Sequence, residues 1–304
     1  MRHGVLILPE HRWSRARDLW SKADRLGYEH AWTYDHLMWR WLSDKSWFPA
    51  LPTLTAAAMV TSRIRLGTLV ASPNFRHPVE FAKELMALDD ISGGRLICGV
   101  GAGVEGFDSR IRGDRPLLPA ERTVRFREFV DLLDQLLRQP FTEYDGNWFT
   151  AMGVRMEPGF VQRPRVPLAI AGGGPKGMAL AVQHAEIWVT TGVPGRGLAE
   201  RYDRLVPYLK DHLEELNDAC ASAGRDPASL RRLLVAGVSA GGVLESVESY
   251  RDAAGLFQEI GITDLVVPWP RDEFPYQAHE EVLEEFAATD LGDPGRIEEN
   301  ECTR

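Results

Sequence analysis

Cysteine is scarce in this chain. Cys98, Cys220 and Cys302 are the only three, far apart and without CxxC spacing, which argues against a disulfide framework or a zinc knuckle and fits a reducing cytoplasm. Long apolar runs are missing too. No stretch approaches the ~20 residues that cross a bilayer, and the run from Val5 to Leu8 stops at Pro9-Glu10-His11, too short for a secretory core. Nor is there an excess of positive charge. The formal net charge of -9 argues against a nucleic-acid surface, although local backbone amides and a few cations still suffice for an anionic ligand. Paired carboxylates and metal-ligand sets are not gathered at the expected strand ends, which disfavours a barrel hydrolase and a metal centre. These absences predict a soluble, cytoplasmic protein without membrane or nucleic-acid partners.

What is present is an alternation. Short Val-, Ile- and Leu-rich runs, of the kind buried parallel strands require, take turns with longer amphipathic stretches. They predict strands over residues 4–8, 30–34, 64–71, 96–100, 168–171, 187–190, 233–239 and 264–267. Helices are expected over 15–26, 51–61, 79–91, 121–138, 176–184, 198–223, 246–260 and 276–288. Residues 141–167 interrupt the pattern, with Tyr144-Asp145-Gly146-Asn147 read as a hairpin turn. Eight strand–helix units with an insertion after the fourth predict an α/β fold. It is a (β/α)8 TIM barrel over residues 1–290, followed by a polar tail over 291–304. An open doubly wound sheet shares the alternation, but the eighth unit favours closure.

In such a barrel the chemistry sits on loops after the strands. Following the fifth strand, Gly172-Gly173-Gly174-Pro175-Lys176 leads into a helix. Backbone N–H groups there can approach a phosphate, helped by the helix end and by Lys176; a tight turn without a ligand reads equally well. Gly101-Ala102-Gly103 after the fourth strand and Thr191-Gly192 after the sixth belong to the same rim. His36, beside Asp35, is the candidate for proton transfer, with the carboxylate orienting the ring; a structural histidine is the alternative. Trp39, Trp41, Trp47 and Phe48 crowd one loop, either as walls of an apolar substrate pocket or as packing on the rim. Glu105 is a candidate acid or a solvated carboxylate. His11 and Arg12 follow the first strand within reach of a substrate. His184, His212 and His279 fall on outer helices and read as structural.

Three segments carry a resemblance. Thr61-Ser62-Arg63-Ile64-Arg65-Leu66-Gly67-Thr68, the Arg76-His77-Pro78 turn, and Leu88-Asp89-Asp90-Ile91-Ser92-Gly93-Gly94-Arg95 running into Gly99-Val100-Gly101-Ala102-Gly103 resemble the luciferase-like flavin and deazaflavin oxidoreductases. Within them, Tyr34-Asp35-His36 and Ala171 to Lys176 resemble the branch that uses coenzyme F420, a 5-deazaflavin. The resemblance implies a tricyclic ring across the barrel mouth, between Asp35-His36 and the third strand. A non-prolyl cis peptide mapping onto Leu69-Val70, just before Ala71, would back that ring. Gly101, Ala102, Gly103, Gly172, Gly173, Gly174, Lys176 and Thr191 would carry the ribityl and phosphate contacts. His36 would pass a proton as hydride moves to or from C5, and a homodimer is the implied assembly. The chain departs from the family where Ala185-Glu186-Ile187 replaces the common Ala-Asp-Gly. Two rivals share the barrel: an FMN-dependent monooxygenase with a partner reductase and oxygen, and a non-catalytic flavin-binding relative.

Overall fold

A computed structural model describes residues 1–113, 115–192, 201–237 and 240–292, with the backbone alone at Phe107. Among these residues ten strands run along the chain: β1 (Arg2–Leu6), β2 (His30–Thr33), β3 (Arg65–Thr68), β4 (Leu96–Gly101), β5 (Phe141–Asp145), β6 (Thr150–Arg155), β7 (Leu168–Ala171), β8 (Ile187–Thr190), β9 (Arg231–Val235) and β10 (Asp264–Pro268). All but β5 and β6 are parallel and close into a barrel in the order β1-β10-β9-β8-β7-β4-β3-β2. The helices are α1 (Trp13–Arg25), α2 (Ala50–Ala58), α3 (Pro78–Ile91), α4 (Phe107–Ile111), α5 (Pro119–Arg138), α6 (Pro175–His184), α7 (Val206–Ser222), α8 (Val247–Glu259) and α9 (Glu280–Phe286).

The barrel strands read as unbroken apolar runs because both of their faces are buried. Leu6, Trp32, Ile97, Ile187, Leu233 and Val266 fill the barrel interior. Their chain neighbours Val5, Ala31, Cys98, Trp188, Leu234 and Leu265 point outward against the helices. At the lower end, Trp32 donates to Nδ1 of His30 (2.8 Å), so His30 carries its proton on Nε2 and offers it to Asp264 Oδ1 (3.1 Å). Burial alone would raise the Asp264 carboxyl, but hydrogen bonds from His30 and Arg231 outweigh it and hold this group below the usual carboxylate range.

The segments that carried the resemblance act here as braces. The buried Asp24 carboxylate, near the end of α1, accepts the backbone N–H groups of Ser62 (2.9 Å), Arg63 (3.1 Å) and Ile64 (2.7 Å). Arg95 donates to the carbonyls of Ala58, Thr61 and Ile64. Asp89 receives the N–H groups of Val161 and Gln162, fastening the insertion's return to the barrel. Glu186, the departure from the family pattern, pairs with Arg165 (2.9 Å) and accepts from Leu168 N–H (2.7 Å). The expected hairpin is present as β5–β6, its turn held by Glu128 of α5, which takes the N–H groups of Asn147, Trp148 and Phe149.

Several boundaries move. The third strand ends at Thr68 rather than 71, and only Ala71 resumes pairing, with Val100. The seventh is Arg231–Val235, with positions 238–239 outside the described residues. The helix expected over 276–288 begins at Glu280, because Pro275 and a left-handed Tyr276 (φ 70°) exclude helix before it. The helix expected from 198 starts at Val206, after a short 3-10 turn (Tyr202–Leu205), and 198–200 lie outside the described residues. Leu291, expected to open the tail, closes a π-helical turn and packs on the core; 293–304 lie outside the described residues. Helix α4 was not expected.

Candidate active site

The ends of β2, β3 and β4 build one contiguous rim. Asp35, 2% exposed, is clamped through both carboxylate oxygens by Arg76 from the loop after β3 (Nε–Oδ2 2.5 Å, Nη2–Oδ1 2.8 Å). This corrects the expectation that Asp35 orients His36. Side chains of adjacent residues on extended chain diverge, and His36 instead hydrogen-bonds through Nδ1 to Asp108, whose other oxygen receives Leu37 N–H (2.7 Å). Trp47 donates to the His36 carbonyl (2.8 Å), fixing the loop from the other side. The ring is 28% exposed. With Nδ1–H held by a carboxylate, Nε2 is the nitrogen left to exchange protons, and it has no partner among the described residues.

Next to this pair, the Leu69–Val70 peptide is cis, where the resemblance put it. Leu69 joins the barrel interior, Val70 is half-buried above it, and Ala71 packs into the outer core. Gly101 faces Val70 so closely that a Cβ would stand 2.6 Å from Val70 Cγ2. Gly103 has φ 69° and lies against Asn74, whose Nδ2 donates to the Val104 carbonyl (3.1 Å). Ala102 is half-buried between them. A side chain at Gly101 would collide with Val70, and one at Gly103 with Asn74.

Across the mouth, Gly172 is half-buried and its carbonyl accepts from Trp188 Nε1 (2.7 Å). Gly173, Gly174 and Lys176 are exposed at the start of α6. Gly174 caps that helix with open space around it, and Pro175 takes the first helical position. The first N–H groups of α6 have no intrahelical partner and present partial positive charge to solvent, which suits an anion. Thr191 is exposed just past β8.

The aromatic residues divide. Trp39 is buried, stacked on Trp47 (5.9 Å) and Tyr276 (6.1 Å) and tilted against Tyr34 (5.0 Å), so it is packing as much as wall. Trp41 is exposed and meets Phe274 edge-on at 5.1 Å; Phe48 is exposed as well. Glu105 is exposed, pairs with Arg110 (2.7 Å) and lines a small cleft with Asn74, Ser109 and Arg122. His11 and Arg12 are exposed on the loop after β1. His184 ends α6 in a pair with Asp131 (3.0 Å), and His212 bonds the Tyr208 hydroxyl (2.9 Å). His279 sits at the cap position of α9, one residue outside the helix expected to carry it.

Sequence reasoning missed Asp108 and the partnership of Arg76 with Asp35. A histidine bracketed by candidate carboxylates signals that some acid holds it. Which one depends on α4, a five-residue helix too short to announce itself by periodicity. Tyr276 was missed because it was placed inside a helix.

Over 202 residues the chain is 36% identical to a 4-hydroxyprotoasukamycin monooxygenase of Streptomyces nodosus subsp. asukaensis, covering 62% of this chain and 52% of that protein. It is 28% identical over 197 residues to an F420-dependent glucose-6-phosphate dehydrogenase of Amycolatopsis mediterranei, covering 64% and 57%. The chain thus spans only about half the length of these curated relatives. The fold superposes on the coenzyme F420 dependent tetrahydromethanopterin reductase of Methanopyrus kandleri with a TM-score of 0.71 at 18% identity, over 94% of this chain and 97% of that one. No helix among the described residues is long and apolar enough to cross a membrane. The pattern common to the luciferase-like monooxygenases matches residues 1–280, and the protein belongs to that family.

Proposed function

We propose that this chain is a coenzyme F420-dependent oxidoreductase acting on an organic small molecule. The observation that carries the reading is the rim itself: His36 held by Asp108 beside the Leu69–Val70 bulge and the side-chain-free face of Gly101. Gly101 lets the Val70 side chain sit 2.6 Å from where a Cβ would stand, and a flat ring would lie on the face that Val70 presents to the mouth. Gly101, Ala102 and Gly103 would hold the ribityl chain, and Gly172, Gly173, Gly174 and Lys176, with Thr191 nearby, would take the phosphate at the start of α6. When bound, F420 supplies a hydride acceptor or donor at its C5 carbon.

The chain's own residues supply binding and proton handling. His36 Nε2 takes the proton that a substrate hydroxyl releases, or returns one to a carbonyl oxygen. Asp108 keeps Nε2 aimed and stabilises the charge that forms on the ring. The Arg76–Asp35 clamp holds the loop that bears His36. Kinship with F420-dependent glucose-6-phosphate dehydrogenase and the F420-dependent structural neighbour support this cofactor.

A second reading, an FMN-dependent monooxygenase served by a partner reductase and oxygen, draws on the 36% identity to a monooxygenase. Titration of the purified protein with each cofactor decides. The expected result is quenching of F420 fluorescence at micromolar protein with no comparable FMN binding; the reverse preference overturns the F420 reading. Binding without turnover on a broad panel of alcohols and ketones would point to a non-catalytic flavin binder.

A further inference from the structure

Tyr34, just past β2, and Tyr276, past β10, approach from opposite sides of β1 until their hydroxyls stand 2.7 Å apart. Both rings are half-buried on top of the barrel-interior core, in company with Trp47, Val70 and Ala171. Tyr276 stacks on Trp39, and Tyr34 lies edge-on to His36 at 6.0 Å. The hydroxyl pair therefore sits on the interior core at the strand ends, among the aromatic residues and close to His36.

The backbone goes to some length to put Tyr276 there. A tyrosine at φ 70° is strained and persists only when its surroundings enforce it. Arg271 is the enforcing group. Its N–H donates to the Tyr276 carbonyl (3.0 Å), and its guanidinium donates to the carbonyls of Glu273 (3.1 Å) and Pro275 (2.9 Å). The same guanidinium grips both oxygens of Glu10, on the loop after β1, at 2.6 and 2.8 Å. Strain so fully imposed at a site mouth argues for use.

Two phenols bring two hydroxyl protons, and only one lies between the oxygens. The other O–H has no acceptor among the described residues. Burial pushes the Tyr34 phenol up to about 12 and Tyr276 higher still, so both stay protonated donors across the working range.

We propose that the Tyr34–Tyr276 pair is a specificity-determining hydrogen-bond donor that takes the oxygen of a ketone or alcohol carried on a planar or alicyclic apolar frame, the frame packing against Trp47 and the exposed Trp41–Phe274 pair. The proposal deepens the oxidoreductase reading, resting on it for the identification of this end of the barrel as the substrate side. An oxygen held here lies beside His36, which the proton step requires.

Equilibrium dialysis of 1-tetralone and of tetralin, the same bicycle without oxygen, tests it on protein loaded with oxidised F420, where the ketone cannot be turned over. Wild type should bind tetralone roughly three- to tenfold more tightly than tetralin, the range of one neutral hydrogen bond. In the double variant Tyr34→Phe/Tyr276→Phe that ratio should fall to about one with tetralin affinity kept. Arg271→Gln, which leaves both hydroxyls but frees the loop, should lower the ratio too and stands in if the double variant fails to fold. A wild-type ratio near one, or an unchanged ratio in a folded variant, overturns the proposal. Failure of F420 to bind in the preceding titration sinks the cofactor reading alone. The tetralone ratio is then measured on unloaded protein and still judges the tyrosine pair.

Discussion

Across 72 residues of chain, the Nδ1 of His36 meets the carboxylate of Asp108, while the adjacent Asp35 is committed to Arg76. The imidazole is therefore aimed by an acid on β4's side of the mouth. His36→Ala should lower turnover by about two to four orders of magnitude with F420 affinity little changed. Asp108→Asn should cost roughly one to two orders, because the ring loses the carboxylate that holds its Nδ1 side and aims Nε2. Near-normal turnover in His36→Ala would remove the histidine from the mechanism.

Gly174 offers a clean probe of the proposed phosphate seat. A Cβ there meets nothing within 4 Å, and φ is -113°, so Gly174→Val should shift stability by less than about 1 kcal/mol. Cofactor affinity should nonetheless fall by about tenfold as the side chain screens the first N–H groups of α6. Fluorescence titration beside a melting curve separates the two, and unchanged affinity would put the phosphate elsewhere.

Asp24 should matter for stability and not for chemistry. Asp24→Ala strands three backbone N–H groups at Ser62, Arg63 and Ile64, at a cost of about 3 kcal/mol. Denaturant unfolding reads it, and a loss below about 1 kcal/mol would show that the turn re-forms its bonds with water.

Acid should weaken the fold before its carboxylates protonate. Burial lowers His3 to about 4, helped by the N-terminal amine and His30. Between about 6.5 and 4 the unfolded chain therefore binds a proton that the folded one refuses, so stability rises with pH through this window and is lost as pH falls across it. The full effect is at most about 3 kcal/mol. Asp24 and Asp264, both held below the ordinary carboxylate range, keep their contribution through this window and lose it only at lower pH. His3→Phe preserves the ring contacts with Tyr250 and Phe286, and unfolding free energies measured from pH 4 to 7 should be flatter in the variant. An equal slope would place the titrating group elsewhere.

Local pattern was enough for the frame. Strands buried on both faces leave continuous apolar runs, and 168–171 and 187–190 fell where the structure has them. Where the chain turns at a strand's end, pattern weakens, so 64–71 ran three residues long and 276–288 began four residues early. The strand-end position of the glycines, whose lack of a side chain is itself a signal, and of His36 beside the aromatics was legible locally.

The sequence by itself determined the alternation, the closed eight-strand frame and the residue types available at its mouth, because burial periodicity and glycine are written locally. Only the tertiary structure decided which acid holds His36 and that Tyr276 reaches Tyr34. Those pairings are set by how β2, β4 and β10 are arranged around the barrel, and separations of 72 and 242 residues leave no trace in any local pattern.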